Sequence, residues 1–212
     1  DMSKAKDQEY FSDGLAETTL EMLSRAPDLK VISRPSPFAF KGKPMDVREI
    51  GKKLGVAHIL EGSVQQAGDT LRITAQLVRT SDGAHLWSKQ YDRKMADIFK
   101  IQDEVATEVV NAIQGALPAA DQQRMIGQNT GNVAAYQEYL KGIALLPGRK
   151  VEDMRKAVAH FEHAIALDPS YARAYAMAAI ALGLLGEYTT DTPEMISRRD
   201  RYIDRALELS PG

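Results

Sequence analysis

Four histidines and no cysteine limit the chemistry open to this chain of 212 residues. Without cysteine there is no thiol nucleophile, no thiolate metal site and no disulfide. His160 and His163 stand three positions apart, so a helix there puts both imidazoles on one face, with Glu162 adjacent in the chain. Two imidazoles are only part of a metal's ligand set, and the sequence places no third. A solvated helix face is the plainer reading, and no metal is expected. His58 and His85 fall in strand-like segments without an evident nucleophile partner. Glu61 and Asp92 are the conceivable carboxylate pair, but nothing fixes the separation that glycoside hydrolysis requires. Pairing with Arg72 or Arg93 accounts for them structurally. Lys41-Gly42-Lys43 lacks the upstream glycine and the following Ser or Thr of a phosphate loop. Neither a G-x-G-x-x-G nor a G-x-S-x-G elbow occurs. No catalytic residue and no cofactor is assigned, and a non-enzymatic role is the expectation.

Recognition chemistry is better represented. Phe38 and Phe40 lie in a loop rich in Pro and Phe between Arg34 and Pro44. They read either as exposed anchors for a partner or as a lid packed on a sheet. Trp87 and Tyr91 share one side of a strand, Trp87 facing the core and Tyr91 available to a partner. In the second half, Tyr139 and Arg173 are candidates for a peptide groove, while Tyr175 is assigned to the core. Phe38, Phe40, Tyr91, Tyr139 and Arg173 are therefore the partner-binding candidates, and the expected partner is a protein or peptide.

These residues need elements to hold them. Leu15, Thr19, Met22 and Leu23 predict a helix over 8–25, stopped by Pro27. Leu29 to Ser33 is a short strand candidate. Asp46 caps a second helix, with Glu49 as its capping-box partner, and Gly55 ends it. Strands follow at 56–65, 71–79 and 84–91, separated by Ala67-Gly68-Asp69 and Ser81-Asp82-Gly83. Leu71, Ile73, Ala75 and Leu77 alternate with Arg72, Thr74 and Gln76, the period of a sheet with one wet face. A long helix over 95–117 carries Ile98, Ile101, Val105, Val109 and Ile113 on one side. Periodicity then disappears, and a linker is placed at 119–131.

Residues 132–212 read as helical, with an internal repeat. Ala164-Ile165-Ala166-Leu167-Asp168-Pro169 and Ala206-Leu207-Glu208-Leu209-Ser210-Pro211 share one pattern. Small residues let two helices cross closely, and the proline stops the second helix before the next begins. The two prolines lie 42 positions apart, against 34 in a tetratricopeptide repeat. The surplus falls near Thr189 to Glu194, and Arg199 stands where a small residue is expected, so irregular packing is predicted there. The ending of this repeat, with Ala157, Phe161 and Ala164 upstream, resembles tetratricopeptide hairpins.

The first half resembles the TolB-like amino-terminal module. Glu9-Tyr10-Phe11-Ser12-Asp13-Gly14-Leu15, Phe38-Ala39-Phe40-Lys41-Gly42, Leu60-Glu61-Gly62-Ser63-Val64, Gly83-Ala84-His85-Leu86-Trp87 and Tyr91-Asp92-Arg93 carry the resemblance, in family order. The expected fold is an α+β domain at 1–118 with a β-meander and flanking helices, then all-α tetratricopeptide hairpins at 132–212. The resemblance implies that the α+β domain lacks its first strand. It also implies a linked effector, an adenylate cyclase or a winged-helix transcription regulator, and hence a non-catalytic sensory or protein-interaction segment of a bacterial signalling protein. A stand-alone scaffold or adaptor and a hydrolase with an unrecognised site are the alternatives.

Bulk properties fit that picture. Net charge is −2 and the two halves are each close to neutral, so no basic footprint for nucleic acid exists. No apolar run is long enough to span a bilayer, so membrane attachment is expected only through a segment outside this chain. Asp1 in place of an initiator Met and the closing Pro211-Gly212 suggest a fragment with further repeats after it. A periplasmic location is expected, with the cytoplasm as alternative, and a homodimer through an exposed sheet edge is one option.

Overall fold

The computed structural model describes residues 9–32, 39–43, 45–126 and 130–210. The fold is α+β: eight α-helices and a three-stranded antiparallel sheet among the described residues. The chain divides into two compact units, Asp1–Gly127 and Gln128–Gly212.

The first unit opens with helix α1, Glu9–Ser24, which buries Phe11, Leu15, Thr18, Met22 and Leu23 at helical spacing. Helix α2, Val47–Leu54, is set by its ends. The Asp46 side chain accepts from the Arg48 amide, and Gly55 closes the helix in the left-handed region at φ 67. Strands β1 (His58–Ala67), β2 (Thr70–Arg79) and β3 (His85–Lys94) form a meander in the order β1-β2-β3. Gly68, at φ 59, makes the tight first turn. Among the described residues β1 and β3 each pair on one side only, leaving two strand edges open.

Register decides which side chains face inward. Val64, Ile73 and Tyr91 align across the sheet, as do Leu60, Leu77 and Trp87. Leu71, Ile73, Ala75 and Leu77 are buried on that face, while Arg72 and its register partners Gln65 and Asp92 lie on the opposite, polar face. A 3₁₀ turn at Met95–Asp97 leads into α3, Ile98–Gln114. Ile98, Ile101, Val105, Ala106, Val109 and Val110 of α3 are buried. Gln102 donates from Nε2 to Thr18 Oγ1 at 2.5 Å, a buried polar tie between α3 and α1. Thr80 Oγ1 donates to Val56 O at 2.7 Å, holding the end of β2 to the chain that follows α2.

Two expectations are corrected. Residues 29–32 form no strand, and Ser33 lies outside the described residues. Val31 and Ile32 have β-propensity, but a strand needs a ladder partner, and among the described residues the three strands pair only with one another. The proposed linker contains helix α4, Ala119–Met125. Pro118 sits at its N-cap and its carbonyl accepts from the Gln122 amide. Two alanines then supply the propensity that the apolar pattern lacked.

The second unit is a run of four helices: α5 (Val133–Leu145), α6 (Val151–Leu167), α7 (Ala172–Tyr188) and α8 (Pro193–Leu209). Each packs along the next, and the short connections make neighbours antiparallel. Asn132 caps α5, its Oδ1 accepting from the Ala134 and Ala135 amides at 3.0 and 3.1 Å. Its Nδ2 donates to Leu167 O at 3.0 Å, joining the start of α5 to the end of α6. Tyr136, Leu140, Met154, Ala157, Phe161, Ala164, Ala174 and Ala178 are fully buried. Small residues such as Ala157, Ala164 and Ala178 are buried in these helices. α8 differs, since none of its residues is buried. Its inner side offers Arg198, Arg199 and Tyr202, too large and too polar to be enclosed.

Candidate functional site

Phe38 lies outside the described residues. Phe40 is half-buried, with the Lys53 ammonium 5.9 Å from its ring centroid. Next to it, Lys41 Nζ contacts Glu9 Oε1 at 2.8 Å and also the Asp13 carboxylate, which ties residues 39–43 to α1. Desolvation lowers the Lys41 pKa, but its hydrogen bonds to Asp13 and Glu9 outweigh that and raise it. Among the described residues, Phe40 is thus a loop aromatic held near the surface beside a charged clasp.

Tyr91 is withdrawn from the partner candidates. It is 1% exposed, because it shares the inner sheet face with Ile73. Burial pushes its hydroxyl up to about 12. Trp87, on the same face nearer the sheet's margin, is half-buried. Its indole N–H donates to Glu108 Oε2 at 2.7 Å, and Lys89 Nζ reaches Glu108 Oε1 at 2.6 Å. This lateral cluster fastens β3 to α3.

Tyr139 is also buried, at 3% exposure. Its ring centroid lies 5.8 Å from Phe161 and 5.2 Å from Tyr171. Arg173 is half-buried with its guanidinium 5.5 Å from the Tyr139 centroid. The structure brings the two predicted groove residues together, but as a stacked cation and ring rather than a bare groove. Tyr139 instead fills the space between helices. Tyr175, expected in the core, is half-buried, 6.0 Å from the Tyr202 ring.

The two helical histidines have a third partner that the sequence did not reveal. His160 Nδ1 and His163 Nδ1 lie 2.8 and 3.2 Å from Glu138 Oε2, and Lys141 Nζ lies 2.6 Å from Glu138 Oε1. Burial raises the Glu138 pKa, but the hydrogen bonds from Lys141 and His160 dominate and hold it at about 2. The only sequence signal for Glu138 was its i, i+3 relation to Lys141. The carboxylate serves as a hub between α5 and α6. Among the described residues no group of three or more His, Asp or Glu is placed to hold a metal ion.

The two carboxylates Glu61 and Asp92 each have a side-chain partner. Asp92 accepts from Arg72 Nε at 2.6 Å, and Glu61 accepts from Gln76 Nε2 at 2.5 Å, both on the polar sheet face. Among the described residues no helix is long and apolar enough to cross a membrane.

Against known proteins, no family model matches the chain. A protein of Rhizobium meliloti (strain 1021) named "Putative adenylate cyclase 3" is 35% identical over 210 residues, covering 98% of this chain. The chain spans 36% of that relative's length.

Proposed function

We propose that this chain is a non-catalytic sensory and protein-interaction segment of a bacterial signalling protein. The carrying observation is the alignment: nearly the whole chain corresponds to about a third of a protein named for adenylate cyclase. Such a relation fits a regulatory portion joined to an effector elsewhere in the polypeptide. In this reading α5 to α8 are tetratricopeptide-like hairpins. Support comes from their consecutive packing and from Gly142, Ala157, Ala164 and Ala178 at close approaches. The first unit is a TolB-like module, supported by its ordered sequence motifs and its meander. Among the described residues, Glu108 and Lys41 are examples of polar side chains that tie elements of this unit together. A protein or peptide partner, or a second copy at an open sheet edge, is the expected associate. The segment acts in the periplasm as part of a membrane-anchored protein.

The test removes residues 1–212 from the native polypeptide and measures cyclic-AMP formation with and without envelope extract. Altered or unresponsive output supports a regulatory role. Output identical to the intact protein under all conditions refutes it. Purified 1–212 is expected to form no cyclic AMP from ATP.

A further inference from the structure

We infer that the outward face of α8 is a docking surface for one amphipathic helix of a partner protein, lined with small residues where it touches and carrying Lys or Arg at its middle. The proposal deepens the protein-interaction reading above and rests on it.

α8 turns one side toward α6 and α7. Arg198 and the Tyr202 hydroxyl reach Glu162 of α6, and the Tyr202 ring lies 6.0 Å from that of Tyr175 in α7. The other side carries Ile196, Ile203 and Leu207, which are 38, 42 and 59% exposed. With Asp200 they stand at i, i+4, i+7 and i+11, one continuous line along the helix. Apolar side chains scattered singly on a surface need no explanation, but three in line on one helix mark a contact face.

The chain's own repeat indicates what such a face accepts. At the repeat offset of 42 positions, Met154 and Phe161 of α6 correspond to Ile196 and Ile203 of α8. Met154 and Phe161 are fully buried, and α6 has a helix along each side, α5 and α7. Among the described residues α8 lies along α7 alone. The neighbour that α6 has and α8 lacks is a helix. In the first case that helix is α7, whose Ala174, Ala178 and Ala181 are fully buried at helical spacing. Small contact residues let helix axes approach closely, so an alanine-lined helix suits the α8 stripe as well.

Charge decides whose helix it is. Asp200 lies near the middle of the stripe, and Asp204 borders it one turn further on. Asp200 has Arg199 Nε at 3.8 Å, and Asp204 is exposed without an ion pair or hydrogen bond among the described residues. In a two-fold pairing of α8 with a second copy, the axis crosses the middle of the stripe and brings the two Asp200 carboxylates together. Like charges there oppose the pair. A partner helix with Lys or Arg at its middle turns the same carboxylates into an attraction.

The test titrates a synthetic helical peptide, with Ala at its contact positions and Lys at its middle, into the 212-residue chain and follows backbone amide NMR shifts. A matched peptide with Glu in place of Lys is the control. Saturable shifts along α8 are expected with the Lys peptide and absent with the Glu peptide. Ile203→Asp should abolish binding with little change in Tm, and Leu207→Asp should do so at a still more exposed position. Asp200→Lys combined with Asp204→Lys should weaken the Lys peptide by about tenfold and admit the Glu peptide. The inference is overturned if the Lys peptide does not saturate, if both peptides bind alike, or if Ile203→Asp and Leu207→Asp leave binding intact. It is also overturned if sedimentation shows the chain pairing with itself through α8. The same holds if the native polypeptide refuses the peptide that the 212-residue chain binds, since the face is then covered from within. No peptide binding, together with altered cyclic-AMP output on deletion of residues 1–212, sinks the docking surface and keeps the regulatory reading. Binding with unaltered output does the reverse.

Discussion

Gly142 of α5 is packed directly against the ring of Phe161 in α6: a Cβ at 142 would lie 2.5 Å from Phe161 Cε1 and 2.7 Å from Cζ. Phe161 is fully buried and cannot swing away. Gly142→Ala gains up to about 1 kcal/mol in helix propensity. It also forces an overlap that typically costs about 1–3 kcal/mol. The overlap wins, so urea unfolding should show a less stable second unit. A more stable variant would mean that the two helices can slide apart freely.

Glu138 makes that same helix pair sensitive to acid. Its folded pKa of about 2 lies below the ordinary 4.5. A depressed carboxylate pKa contributes stability above the unfolded value and loses it as pH falls through the folded one. Glu138→Gln should therefore destabilise the chain at neutral pH, and the gap to the parent should close between about pH 4.5 and 2. Unfolding curves across that window test it. A constant gap would show that the lost stability comes from packing rather than charge.

The single tryptophan offers a probe of the first unit. Glu108 holds both the Trp87 indole and the Lys89 ammonium. Glu108→Ala should shift Trp87 emission to the red and cost about 1 kcal/mol. Glu108→Gln still accepts the indole hydrogen bond and should shift emission less. Equal spectra for both variants would show that the indole environment is set by ring packing alone.

Asn132 works with both ends of its amide. Asn132→Ala should cost about 1–2 kcal/mol as a lost cap, plus the bond to Leu167. Asn132→Asp keeps the acceptor for the helix amides and loses only the donor to Leu167, so it should fall between. Thermal unfolding by circular dichroism ranks the three.

Local signals in the sequence were strong where one residue type has one physical use. Asp46 and Gly55 bound α2 as read, and alternation from Leu71 to Leu77 gave the sheet's inner face. Ala157, Phe161 and Ala164 marked buried helix crossings. What failed depended on neighbours distant in sequence. Val31 and Ile32 look like a strand until it is known that no described strand pairs with them. Tyr91 looks like a surface aromatic until its register with Ile73 is known. Tyr139 was placed in a groove because spacing gives a helix face but not what lies against it. Glu138 was missed because its histidines come from the next helix, 22 and 25 positions further along the chain.

The tie between Thr18 and Gln102 joins positions 84 apart, and it carries a consequence for biosynthesis. At ribosomal rates of roughly 5–20 residues per second, α1 waits on the order of 4 to 17 seconds for α3 to be made. During that interval Phe11, Leu15, Met22 and Leu23 have no cover from α3. The helices of the second unit, each packing on the next, close as fast as they emerge. The nascent first unit is thus the part of this chain that calls for chaperone shelter, although it is synthesised first.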